Sequence, residues 1–142
     1  MRRNWSDTVD LAGSEARPGS TADVAALVRS HSSALALGSA HSFSEVAVTP
    51  GLHVDTMGLP ADIRVEGTTA TVGAGTTYAV LGRELHARGV ALAAMASLPH
   101  ITVGGAIATG THGSGDAIGT LSAAPVDTVG AALTALVDTL GA

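Results

Sequence analysis

The chain has no cysteine and no lysine, one residue each of tryptophan, tyrosine and phenylalanine, and only 13% charged side chains in 142 residues. Each shortage removes a chemistry. Without cysteine there is no disulfide, no thiolate nucleophile and no cysteine-ligated zinc, which fits a reducing compartment and sets the expectation of a cytoplasmic protein. Without lysine there is no Schiff-base amine and no P-loop, which needs its Gly-Lys-Ser/Thr. A net charge of −5 with seven scattered arginines supplies no basic footprint for nucleic acid. Arg2 and Arg3 are followed by Asp7 and Asp10 rather than an apolar run, so no signal peptide is read. No membrane span is expected either, since Pro99, His100, Gly104, Gly105 and Gly110 interrupt the one long uncharged stretch far short of a bilayer's thickness.

Glycine (18 residues) and alanine take the place of what is missing. The length suits one domain, and so low a charge leaves its surface short of solubilising groups, which points to a docking partner or to further chain. Along the sequence, residues 1 to 17 lack periodicity and read as an irregular arm. Ser20 and Asp23 have capping-box spacing ahead of a helix carrying Val24, Leu27, Val28 and His31 on one face, ended by Ser32 and Ser33. Ala34 to Leu37 reads as a short buried strand, and Leu52 to Asp55 as another. Ile63 to Val72 alternates as a hairpin about Glu66-Gly67-Thr68. A second helix is predicted after Thr76 or Thr77, with Tyr78, Leu81 and Leu85 as its buried stripe and Gly89 as its stop. The fold class expected is α+β.

Two segments invite a ligand. Gly38-Ser39-Ala40-His41-Ser42 follows a predicted strand, where ligands of helix-flanked sheets tend to bind, and its glycine and serines can form an anion-binding nest beside one imidazole. Gly89 to Gly115 has no charged residue. Such a stretch is expected to be largely buried and, with so much glycine, substantially outside regular structure, so that its backbone groups need partners. A large neutral-and-anionic ligand would supply them, making Gly38–Ser42 and Gly104–Gly115 two walls of one extended cofactor site.

Competing motifs fall short. Gly113-Ser114-Gly115 with Gly119 has no preceding strand and its third glycine comes one residue late, while Gly73-Ala74-Gly75 has Tyr78 where the third glycine belongs. His41, His100 and His112 have no helical pair spacing and no nearby carboxylate for a metal. No Gly-x-Ser-x-Gly elbow exists for a hydrolase. His31, His53 and His86 read as packed or solvated side chains, and Ser97 alone would be a turn-stabilising hydroxyl.

Gly38-Ser39-Ala40-His41-Ser42-Phe43, Met95-Ala96-Ser97-Leu98-Pro99-His100-Ile101 and Ala108-Thr109-Gly110-Thr111-His112-Gly113-Ser114-Gly115, in that order, resemble the N-terminal, FAD-binding part of alditol oxidases. Those are flavoproteins of the vanillyl-alcohol oxidase type with an FAD-binding PCMH-type domain, alongside the aldonolactone oxidases. Asn4-Trp5 and His86-Ala87-Arg88-Gly89 match as well, and the likeness runs from about Asn4 to about Ser122. The resemblance implies FAD, joined through a ring nitrogen of His41 to the flavin's 8α carbon. It implies that the backbone of Ala36, Leu37, Gly38, Ser39, Ala40, His41 and Ser42 holds the pyrophosphate. Thr102, Val103, Gly104, Gly105, Thr109, Gly110, His112 and Gly113 would close over the flavin, and Ser97 would touch both cofactor and substrate. The reaction implied is hydride removal from a polyol or sugar-type alcohol, with dioxygen reoxidising the flavin and releasing hydrogen peroxide.

Past Ser122 the resemblance ends. Residues 1–124 are expected to form the FAD-binding domain, truncated relative to the family. Residues 125–142 are expected to be a non-family helix in which Val126, Val129, Leu133, Leu136 and Leu140 form an apolar stripe needing a docking partner. The alternative to an oxidase is a truncated, non-catalytic flavin-binding or interaction module.

Overall fold

The computed structural model describes residues 2–67, 69–115 and 119–121. The expected terminal helix over residues 125–142 lies outside the described residues. The chain divides into two compact units, Met1–Pro60 and Ala61–Ala142, and mixes helices with both parallel and antiparallel strands, an α+β content.

The first unit is built on a three-stranded parallel sheet. Strand β1 (Arg2–Arg3) pairs antiparallel with β2 (Asp10–Leu11). Next come β3 (Ser14–Ala16), helix α1 (Thr21–Ser30), β4 (Ala34–Leu37) and β5 (Leu52–Asp55). The sheet order is β3-β5-β4, with Ala16 opposite Val54 and Leu37 opposite Asp55. Parallel strands require a crossover, and α1 supplies the one between β3 and β4 while β5 fills the slot between them. All four residues of β5 are buried, as a central strand requires.

Helix α1 starts where the capping box placed it. Ser20 Oγ accepts from Asp23 N–H at 3.1 Å and donates to Asp23 Oδ2 at 2.7 Å. The helix ends sooner than expected, at Ser30. His31 lies outside it, exposed rather than on the apolar face, with Nδ1 2.8 Å from the Leu27 carbonyl. Val24 is buried, and Leu27 and Val28 are half-buried.

Two further expectations for this unit fail. Residues 1 to 17 are not an irregular arm, because β1, β2 and β3 lie within them. Strands of two and three residues are too short to show a period: β1 and β2 pair with each other, and β3 takes its pairing from the distant Leu52–Val54 backbone. Nor is β4 wholly buried: Leu37 is, but Ala34 and Ala36 are exposed, since β4 is an edge strand with small side chains.

The second unit contains the hairpin of β6 (Arg64–Glu66) and β7 (Thr69–Thr71), helix α2 (Tyr78–Ala87) and helix α3 (Val103–Ala108). Its core joins Ala70, Val72, Tyr78, Leu81, Leu85, Ala96, Val103 and Ala106. Full burial of a leucine such as Leu81 or Leu85 stabilises by about 2 kcal/mol. Thr77 caps α2, and Gly89 stops it at φ +72°, donating from its N–H to the His86 carbonyl at 3.0 Å.

The stretch from Gly89 to Gly115 departs from expectation twice. It contains a helix, α3, started by Thr102, whose Oγ1 accepts from Gly105 N–H at 3.3 Å. It is also mostly exposed, with Ala96, Thr102, Val103 and Ala106 its buried residues. Alanine and glycine carry little surface to hide, so lack of charge did not amount to burial. Gly104 is required by close packing: its N–H donates to the Ala74 carbonyl at 2.9 Å, and a Cβ there would meet Ala74 Cβ at 3.0 Å.

Candidate functional site

In the first unit, β4 delivers Gly38–Ser42 at its carboxyl end, with every residue of the loop half-buried. Asp55, in register with Leu37 at the end of β5, would repel an anion. It faces Arg2 Nη1 at 3.5 Å and Arg17 Nη1 at 3.8 Å, and its Oδ1 accepts from Met57 N–H at 2.9 Å. Ala40 has φ +54°, a left-handed conformation disfavoured for a residue with a Cβ and typical of backbone that curls its N–H groups around an anion.

His41 sits among the chain's two other aromatics near it. The Trp5 ring stacks on the imidazole at 4.4 Å and 24°, and Phe43 meets it edge-on at 5.8 Å and 89°. Trp5 and Phe43 themselves contact edge to face at 6.3 Å. Nε2 of His41 is shielded from solvent, whereas Trp5 is 58% and Phe43 66% exposed. The ring is thus oriented by stacking inside an otherwise open aromatic patch.

The backbone of this loop is tied from one side. Arg2 Nη2 donates to the Gly38 carbonyl at 3.3 Å, Trp5 N–H to the Ala40 carbonyl at 2.8 Å, and Asn4 Nδ2 to the Ser42 carbonyl at 2.9 Å. Carbonyl and N–H of a trans peptide point in opposite directions, so the N–H groups of Ser39, His41 and Phe43 face away from the N-terminal segment. A strip of backbone donors beside an Asp55 that is offset by Arg2 and Arg17 suits the pyrophosphate of a dinucleotide in a chain without lysine, so the residues present fit FAD here.

In the second unit, Thr102 is buried at the start of α3, and Val103, Gly104 and Gly105 form its first turn. Thr109 caps the other end, its Oγ1 donating to the Gly105 carbonyl at 3.0 Å, and Gly110 follows at φ +64°. His112 and Gly113 are exposed beyond it, with His112 Nδ1 2.9 Å from the Gly113 carbonyl. Ser97 is exposed in the segment between α2 and α3. One six-residue helix therefore gathers Thr102–Gly105 and Thr109 at its two ends. Among the described residues no three side chains of histidine or carboxylate type are arranged to hold a metal.

Residues 14–132 match the FAD binding domain family. The chain belongs to that family. The FAD-binding domain is 44% identical over 119 residues to an alditol oxidase from a Streptomyces species, an alignment covering 79% of this chain and 28% of that protein. It is 30% identical over 120 residues to the L-gulonolactone oxidase of Mus musculus, covering 80% of this chain and 27% of the other. A long-chain alcohol oxidase of an uncultured marine euryarchaeote is 39% identical over 84 residues, 56% of this chain and 17% of its own length. The chain thus spans about a quarter of the length of the alditol and gulonolactone oxidases it matches.

Residue types in order pointed to Gly38–Ser42, but not to the Arg2, Asn4 and Trp5 contacts that shape it. Two signals were available: the resemblance includes Asn4-Trp5, and Asn4 is the only carboxamide side chain in the sequence and Trp5 the only tryptophan.

Proposed function

We propose that the chain is the FAD-binding part of an FAD-dependent oxidase acting on a polyol or sugar-type alcohol, with the flavin joined to a ring nitrogen of His41. The observation that carries this reading is the loop after β4, where carbonyls are tied back, N–H groups face outward and a stacked imidazole stands among them. The names of the relatives, oxidases of alditols and gulonolactone, support the alcohol class.

In this reading Ser39, His41 and Phe43 donate backbone N–H groups to the phosphates, and Ser42 Oγ, 3.2 Å from Ser44 Oγ, offers a further hydroxyl. Trp5 holds the imidazole plane so that one ring nitrogen is presented in a fixed direction. In the second unit, Thr102–Gly105, Thr109, Gly110, His112 and Gly113 are the proposed flavin contacts, and Ser97 is the proposed substrate contact. When bound, the flavin would supply the redox chemistry of the family, hydride removal from an alcohol carbon coupled to reduction of dioxygen to hydrogen peroxide.

The full chain, expressed and purified, is expected to be yellow and to keep its colour in the protein pellet after acid precipitation. His41→Ala is expected to release the flavin under acid. Colour that washes from the unaltered chain refutes attachment, and a chain that takes up no FAD refutes the reading itself. Polyol-dependent peroxide release separates an oxidase from a flavin-binding module without catalysis.

A further inference from the structure

Three carbonyls of the cofactor loop, those of Gly38, Ala40 and Ser42, alternate along the backbone, and all three are held by the segment Arg2–Trp5. Alternation matters because it fixes every second peptide plane. A loop free to rotate its peptides would present a mixture of donors and acceptors to an anion, whereas this one has three planes fixed with the donors of Ser39, His41 and Phe43 turned away from Arg2–Trp5. The left-handed Ala40 is a strained conformation for a residue with a Cβ, and its own carbonyl is the one gripped by Trp5 N–H.

Asn4 is the hub of the grip. It is 5% exposed, and its Oδ1 accepts from the N–H groups of Thr8 and Val9 at 2.9 and 3.0 Å. That folds the 4–9 turn, in which Asp7 N–H donates to the Asn4 carbonyl at 3.0 Å. Its Nδ2 donates to Ser6 Oγ, to Thr8 Oγ1 and, 38 residues away, to the Ser42 carbonyl. The next residue, Trp5, adds both the bond to Ala40 and the stacked ring over His41. One amide thus organises a turn with its oxygen and reaches the loop with its nitrogen.

We propose that Asn4 and Trp5 are positioning residues for FAD: a clamp that sets the loop's peptide planes and the plane of the His41 ring before the cofactor arrives. The proposal rests on the reading of Gly38–Ser42 as the FAD loop. It goes further by placing the determinant of that loop's geometry in the N-terminal segment.

The test uses the full-length chain with Asn4→Asp, Trp5→Ala and Trp5→Phe. Asn4→Asp keeps the oxygen that folds the turn but sets a carboxylate oxygen against the Ser42 carbonyl, so it cuts the clamp and spares the turn. Two readouts need no cofactor: backbone amide exchange and NMR shifts at Ser39, His41 and Phe43, and the upfield displacement of His41 ring protons under the Trp5 indole. A third is binding of added FAD, read with His41→Ala in every chain compared so that no flavin is already attached. Asn4→Asp is expected to perturb the three amides and weaken FAD binding about tenfold, the value of one lost hydrogen bond. Trp5→Ala is expected to abolish the His41 ring shift and lower the acid-stable flavin fraction, and Trp5→Phe to recover both.

If Asn4→Asp does not fold, the Trp5 pair decides the matter. Amides and ring protons unchanged in the variants overturn the clamp. So does FAD binding with equal affinity in all chains, and that outcome leaves the flavin reading standing. Amides and ring protons that move as expected in a chain taking up no FAD leave the hold of Asn4 and Trp5 on the loop in place but sink the flavin reading and, with it, their role toward FAD.

Discussion

In Met1–Pro60 the buried set pairs Leu11, Val24, Leu37, Leu52 and Val54 with Asn4, Thr49, His53, Asp55 and Thr56. From Ala61 onward the described buried side chains are those of Ala70, Val72, Tyr78, Leu81, Leu85, Ala96, Val103 and Ala106, joined by Thr76 and Thr102. The first unit buries polar groups by giving each a partner: His53 Nε2 lies 2.8 Å from the Ala47 carbonyl, and Thr56 Oγ1 donates to the Leu37 carbonyl at 3.1 Å. Such networks specify one geometry, because any shift leaves a buried group unsatisfied. The second unit relies on non-directional packing, which contributes stability with less demand on angles. The loop whose carbonyls at Gly38, Ala40 and Ser42 are each held is thus found where directional bonds dominate.

The sharpest way to break this contrast is to remove packing from the second unit. Leu81, 1% exposed, is central to its core, and Leu81→Ala should cost about 3 kcal/mol in a denaturant melt. The scarcity of aromatics makes the readout clean, since the only tryptophan lies in the first unit and the only tyrosine in the second. The loss should be seen in the Tyr78 signal. If Trp5 fluorescence loses its midpoint by the same amount, the two units melt as one and the contrast describes style of packing rather than independent stability.

A smaller effect comes from Tyr78 itself. Burial pushes its phenol from 10.0 up to about 12. The folded state then holds a proton that the unfolded state has already lost, so stability is level below the unfolded pKa of 10.0 and falls as pH rises toward about 12. Absorbance titration of the single tyrosine should show ionisation coinciding with unfolding, and Tyr78→Phe should flatten the alkaline decline. A phenol titrating in its ordinary range, with no loss of structure, would contradict the burial.

What could be read in advance follows the same divide. The capping box at Ser20, the Tyr78–Leu81–Leu85 stripe and the Gly89 stop are local patterns, and local patterns are visible in a linear text. β3 was invisible because Ser14–Ala16 has no apolar alternation and is a strand through its register with Leu52–Val54. α3 was missed because two glycines lie in its six residues, and it stands through the Thr102 cap and the burial of Val103 and Ala106. At the site, the position of Gly38–Ser42 after a strand was legible, whereas the grip of Asn4 on Ser42 spans 38 residues and leaves no periodic trace.

The smallest predicted effect tests the divide at two helix starts. Ser20 Oγ lies 3.1 Å from Asp23 N–H and is itself engaged by Asp23 Oδ2, so Ser20→Ala should cost about 1 kcal/mol, read by Trp5 fluorescence. Thr77 Oγ1 is 3.4 Å from Val80 N–H, a longer bond. The first two N–H groups of α2 are already taken by backbone from elsewhere, Tyr78 by the Ile101 carbonyl at 3.1 Å and Ala79 by that of Pro99 at 2.7 Å. Thr77→Ala leaves both of those bonds in place, so its cost should be roughly half that of Ser20→Ala or less, read by the Tyr78 signal. Were Thr77→Ala the costlier of the two, side-chain caps rather than tertiary backbone pairing would be starting α2, and the second unit would depend on directional side-chain bonds as much as the first.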